Sequence, residues 1–135
     1  MAESHLSLLT EMIALLERYS REVTRAQLDA DRETWLKVRG ALEVAAQCCI
    51  DLALFLISRR GLGLPQSYRE AFSSLARAGM ISAELASQLS DWAGLRNVLV
   101  HVYTDLDLER IHRALGESAP LVEFRSIVAR ELTRE

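Results

Sequence analysis

The chain has 135 residues, half of them hydrophobic and 26% charged. That is the size and composition of one compact domain with enough apolar surface for a core, and it excludes a disordered or staple-dependent chain. A formal net charge of −3 supplies no overall field for nucleic acid, so contact with RNA would need a local cluster or a surface built between subunits.

Helical periodicity runs through the whole sequence and predicts an all-α, antiparallel helical bundle, read as a single domain over residues 1–135. A first helix is expected from about Glu3 to Ala30, with Leu6, Leu9, Ile13, Leu16 and Val23 on one stripe. Glu3 and Glu11 stand where a secretory leader would be basic and then apolar. A second helix is expected from about Asp31 to Arg60. Its Trp35, Val38, Leu42, Ala45, Cys49, Leu52 and Leu56 keep three-four spacing up to Gly61-Leu62-Gly63-Leu64-Pro65, which stops it. Cys48 and Cys49 are neighbours that cannot bridge each other and match no zinc spacing, so they read as reduced core residues of a cytoplasmic protein. No run of about eighteen uncharged apolar residues marks a membrane span.

Ser67 opens a third helix, with Glu70 three residues on as a capping box, and Gly79 closes it. A fourth begins at Ser82 and carries Leu85, Leu89, Trp92, Leu95 and Leu99. A fifth is expected from about Leu106 to Leu115, and Gly116 to Pro120 should separate a last one. The two N-terminal helices, near thirty residues each, would reach about 40 Å, which exceeds the width of a domain this size and points to a partner chain or to a kink that shortens them.

The fourth helix runs into Arg96-Asn97-Val98-Leu99-Val100-His101-Val102-Tyr103, where an arginine, an amide, a histidine and a tyrosine fall at fixed offsets among apolar residues. Buried without partners, each would cost free energy. Arginine presents a permanent fork-shaped charge suited to phosphate, and histidine exchanges protons near neutrality, a combination that points to phosphodiester chemistry. On an ideal helix Asn97 and His101 share a ridge, as do Arg96 and Tyr103, whereas Arg96 and His101 stand about 140° apart. A second copy about a twofold axis would bring both pairs into one cleft. Arg39, Glu43, Gln47 and Asp51 form another ridge at four-residue intervals. It reads as a salt-bridged seam fixing helix register, or as a line placing Gln47 and Asp51 beside the motif to orient His101 or receive a nucleotide. His5 and His112 belong to no constellation and are read as surface residues.

The pattern R-N-x-x-x-H-x-Y resembles the signature of the HEPN superfamily, and with its tyrosine that of HepT-type toxins in particular. The likeness extends over roughly Arg39 to Asp107, including Leu64-Pro65-Gln66-Ser67-Tyr68. It implies a homodimeric helical bundle with metal-independent endoribonuclease activity, the motifs facing each other across the interface and no cofactor required. Arg96 and His101 would be the catalytic pair and Asn97 the polar residue beside them, either holding a phosphate oxygen or orienting the histidine. The resemblance also implies RNA as substrate and a cognate antitoxin of the minimal nucleotidyltransferase (MNT) type that adenylylates Tyr103, with no membrane association. The alternative is a catalytically silent HEPN module that binds a nucleotide or a protein partner.

Overall fold

The computed structural model describes residues 2–100 and 108–134. Among them are seven helices and no strand: α1 (Ala2–Glu22), α2 (Arg25–Ala30), α3 (Arg32–Arg60), α4 (Tyr68–Arg77), α5 (Ala83–Val100), α6 (Leu108–Ala114) and α7 (Ala119–Thr133). The expected first helix is two. Thr24 Oγ1 accepts from Gln27 N at 3.2 Å and Gln27 Oε1 accepts from Thr24 N at 2.8 Å. This reciprocal capping box starts a new helix where periodicity alone had continued the old one. The argument from two long helices therefore keeps one leg: α1, with 21 residues, is about 32 Å long, while α3, with 29 residues, reaches about 44 Å.

α3 is the spine, packed against α1, α2, α4, α5 and α7. Asp31 caps its start, with Oδ1 accepting from Glu33 N and Oδ2 from the Thr34 hydroxyl. Gly61 ends it at φ 62°, where Gly61 N donates to Ser58 O and Leu62 N to Ile57 O, the left-handed termination that glycine permits without strain. Among the described helices α3 has the length and apolarity a bilayer span would need. Its apolar positions, however, are the bundle core: Val38, Leu42, Ala45, Cys49, Leu52 and Leu56 are all buried.

α1 runs antiparallel to α3, burying Leu9, Ile13 and Leu16 with His5 opposite Asp51. Ser67 caps α4 by accepting from Glu70 N, but the Glu70 carboxylate reaches back to Gln66 N instead of the Ser67 backbone, so the expected box is only half formed. Phe72 of α4 and Phe124 of α7 meet edge to face, centroids 6.1 Å apart, and join those helices through fully buried rings. Pro120 lies inside the first turn of α7 rather than ahead of it. Its locked φ suits that position, and the missing N–H has no partner to lose there.

Candidate functional site

The site is built at the carboxyl end of α5. Leu85, Leu89, Trp92, Leu95 and Leu99 face the core and are buried, which leaves Arg96 half-buried at the margin and Asn97 exposed. A terminal nitrogen of Arg96 donates to Asn97 Oδ1 at 3.3 Å. Its Nε is shut away from solvent and finds no acceptor among the described residues, a condition worth about 1–3 kcal/mol of destabilisation for a buried donor. Arg96 is thus held in place by Asn97 while part of its hydrogen-bonding capacity stays unfilled. His101 and Tyr103 lie outside the described residues.

Arg39 connects this end of α5 to α3. Its Nε donates to Leu99 O at 3.2 Å, and a terminal nitrogen lies 3.8 Å from Glu43 Oε2. The bond ties the first turns of α3 to the last described turn of α5. Of the ridge that begins at Arg39, the sequence singled out Gln47 and Asp51, yet Arg39 is the member that touches the motif helix. Its position at the head of the ridge was visible. Which end of the ridge meets the motif depends on α3 and α5 lying antiparallel.

Gln47 and Asp51 are together, about 12–18 Å farther along α3. Gln47 Nε2 donates to Asp51 Oδ1 at 2.9 Å, and Asp51 Oδ2 lies 3.2 Å from His5 Nε2. The seam reading describes this ridge as i, i+4 pairs, with His5 of α1 added to it. His5 and His112 are accordingly not unattached surface residues. His112 Nε2 lies 2.8 Å from Val23 O, and since a carbonyl only accepts, that nitrogen carries the proton. The contact ties α6 to the turn between α1 and α2.

The two thiols are buried and free. Burial, and then the nearby Asp51 carboxylate, push the Cys48 thiol up to about 11. Burial raises Cys49 further, its neighbour Cys48 adding to the effect. Both are protonated and poorly nucleophilic at neutral pH. Among the described residues, no group of three or more His, Cys, Asp or Glu side chains is arranged to hold a metal ion.

Comparison with known proteins adds three findings. The sequence model of the family described as ribonuclease HepT-like matches residues 9–128. Over 68 residues the chain is 38% identical to the mRNA nuclease HepT of Shewanella oneidensis, covering 50% of this chain and 51% of that protein. Over 84 residues it is 32% identical to the tRNA nuclease HepT of Aphanizomenon flos-aquae, covering 62% and 57%. The matches thus span little more than half the length of these curated relatives. Among solved structures, the tri-AMPylated Shewanella oneidensis HEPN toxin in complex with MNT antitoxin superposes with a TM-score of 0.85 at 24% identity over 96% of each chain, a likeness in fold.

Proposed function

The chain belongs to the ribonuclease HepT-like family, and from that premise we propose that it is the toxin of a toxin–antitoxin pair, a metal-independent endoribonuclease. The observation that carries the reading is Arg96. It is steadied by Asn97 at the end of the motif helix and retains a buried Nε donor with no acceptor among the described residues. Bidentate capture of a phosphate uses Nε and one terminal nitrogen. Rotation of this half-buried side chain onto RNA would exchange an unfilled donor for a charge-assisted pair. The nuclease activities of the two HepT relatives support RNA as the substrate class.

In the proposed reaction a ribose 2′-oxygen forms a bond to the adjacent phosphorus and the bond to the 5′-oxygen breaks. The products are a 2′,3′-cyclic phosphate and a 5′-hydroxyl end. His101 takes the proton from the 2′-hydroxyl as base or supplies one to the leaving 5′-oxygen as acid, and Arg96 stabilises the extra charge on five-coordinate phosphorus. Asn97 orients Arg96 and is near enough to share a phosphate oxygen. A homodimer places two such motifs in one cleft. It is supported by exposed apolar side chains on the helices that meet there, Leu36 at 53% and Val98 at 39% exposure.

The partner in this reading is a nucleotidyltransferase antitoxin that adenylylates Tyr103 in the cytoplasm; the tri-AMPylated state of the structurally similar HEPN toxin in complex with MNT antitoxin supports AMPylation as the kind of control. A negatively charged adenylate there would compete with RNA for Arg96.

The test is RNA cleavage by purified protein in EDTA, with the ends identified by mass spectrometry. Cyclic phosphate ends are expected; no cleavage by the purified chain, or cleavage only with added metal, overturns the assignment. Tyr103→Phe should still cut RNA yet escape neutralisation by the cognate transferase and ATP. Adenylate found on another residue would remove this mode of control.

A further inference from the structure

Along α5, ending one residue before Arg96, lies a cavity of about 430 Å³ closed by α6 and the start of α7. The volume falls in the range of small-molecule sites, about 300–1,000 Å³. We propose that this cavity binds one nucleoside monophosphate unit, either a nucleotide of the RNA flanking the scissile phosphate or a free mononucleotide. Only the first source rests on the nuclease reading.

The chemistry of the lining differs from end to end. Arg110 and Arg113 line it from α6, and three-residue spacing sets them on one side of that helix. Two guanidinium groups on one side match the oxygens of a phosphate. Arg113 is exposed and has no side-chain partner among the described residues. A cation in the last turn of α6 also suits the helix dipole; Arg110 is already engaged within the fold, so Arg113 is the charge the proposal rests on.

Trp92, Leu95 and Pro120 supply an apolar wall. The indole is fixed in orientation because its Nε1 donates to Glu117 O at 3.0 Å; it is buried apart from the edge that borders the cavity, so it gives the base end a rigid apolar floor and not a stacking face. Gln88 and Asp91, also lining the cavity, have no side-chain partners among the described residues. They present an amide and a carboxylate to a base edge or to ribose hydroxyls.

The carboxylates of Asp91 and Glu117 balance the two arginines, so the cavity is zwitterionic rather than basic. This distinguishes its ligand from a bare phosphate or a polyanion. It favours a molecule with an anionic end and a neutral end rich in hydrogen-bond donors, which is the make-up of a nucleoside monophosphate. Measured along the α5 axis, the middle of the cavity is about 7 Å from Arg96. A nucleotide bound there would adjoin one held at its phosphate by Arg96, and the cavity would then select the base beside the cut.

The chain has two tryptophans, so Trp35→Phe leaves Trp92 as the single reporter. Titration with 5′-AMP, GMP, CMP and UMP should change its fluorescence saturably. Calorimetry on the unsubstituted chain provides the same measurement should Trp35→Phe fail to fold. Arg113→Ala should weaken binding by about tenfold or more, the worth of one charge-assisted hydrogen bond, while Arg18→Ala, on α1 and outside the lining of the cavity, should not. No saturable binding by either method, equal binding by Arg113→Ala, or equally tight binding of inorganic phosphate overturns the proposal.

RNA cleavage then separates the two sources. If the ligand is an RNA nucleotide, Arg113→Ala and Gln88→Ala raise KM more than they lower kcat and alter base preference on one side of the cut. An unchanged KM and preference alongside lost mononucleotide binding assigns the cavity to free mononucleotides. The titration needs no cleavage. A chain that binds AMP here but cuts no RNA therefore sinks the nuclease reading and leaves this one standing.

Discussion

At the carboxyl end of α3, Arg60 directs Nε and a terminal nitrogen to Glu131 Oε1, both at 2.7 Å, while Arg134 lies 3.5 Å from Oε2 and Arg59 donates to the Arg134 carbonyl. At the other end, about 30 Å away along the same helix, Arg39 holds the last turn of α5 and Arg96 keeps a buried donor with no acceptor among the described residues. Both regions are rich in arginine. In the first, the guanidinium groups are engaged with the fold, fastening α3 to α7 around a carboxylate only 8% exposed. In the second, the fold positions an arginine and leaves a buried donor unfilled among the described residues, which the proposed function assigns to a phosphate. The state of its hydrogen bonds, not the presence of the charge, separates a structural arginine from a functional one.

Exchanging the roles of the two ends should fail in opposite ways. Arg96→Ala and His101→Ala should each reduce RNA cleavage by about a hundredfold or more, with thermal melting little changed. A large fall in melting temperature for Arg96→Ala would move this residue to the structural side. Glu131→Ala should do the reverse. It leaves Arg60 facing a vacated pocket and should lower unfolding free energy by about 1–2 kcal/mol in urea titration, a discounted figure because Arg60 can turn to solvent. Cleavage per folded molecule should be retained.

Between these ends lies a control that touches neither. Cys48 holds its proton to about pH 11 in the fold, whereas an unfolded thiol ionises near 8.5. A raised folded value means the stabilising contribution is complete below the unfolded value and is lost as pH climbs through the folded one. Chemical unfolding at pH 8 and at pH 11 should differ by on the order of 2 kcal/mol from this group, and Cys48→Ala should flatten the alkaline limb. A smaller effect is expected at the break between α1 and α2. Thr24→Ala removes half of the capping box and should cost about 1 kcal/mol, read as a shift in urea midpoint without loss of cleavage. Smallest of all, Arg39→Ala should reduce kcat by about threefold, roughly the worth of one weak hydrogen bond, through looser placement of the α5 end. Arg39→Lys, which keeps the charge but not the Nε donor, should recover little of it, whereas a purely electrostatic role would restore kcat in full.

Much of the fold could be read from apolar spacing. The stripe from Val38 to Leu56 is the buried face of α3, and the one from Leu85 to Leu99 is the buried face of α5. Caps with a single local answer were equally legible, among them Asp31, Gly61, Ser67 and Ser82. The division at Thr24 was not. Thr24 and Gln27 carry the same spacing as Ser67 and Glu70, but apolar periodicity continues across them, and it is the structure that shows the chain turning there to form the box. Arg96 and Asn97 were legible as chemistry because they stand in an apolar stretch of α5 where polar groups buried without partners would cost free energy. Their contact adds which group steadies which.

Local sequence determined the helical class, the buried stripes, the capping residues and the polar motif, because those depend on interactions within a few positions along one chain segment. The long-range partners were decided by packing. Asp51, for which the ridge left open a place in the seam or beside the motif, meets His5, while Arg39, 60 positions from Leu99, is the residue that reaches the motif helix. A ridge at four-residue spacing records only that its members share a face of α3. Which helix that face meets, and whether its first or last turn lies beside the motif, is set by how the apolar stripes of separate helices exclude water together. That collective burial fixes direction and register over distances that periodicity does not encode.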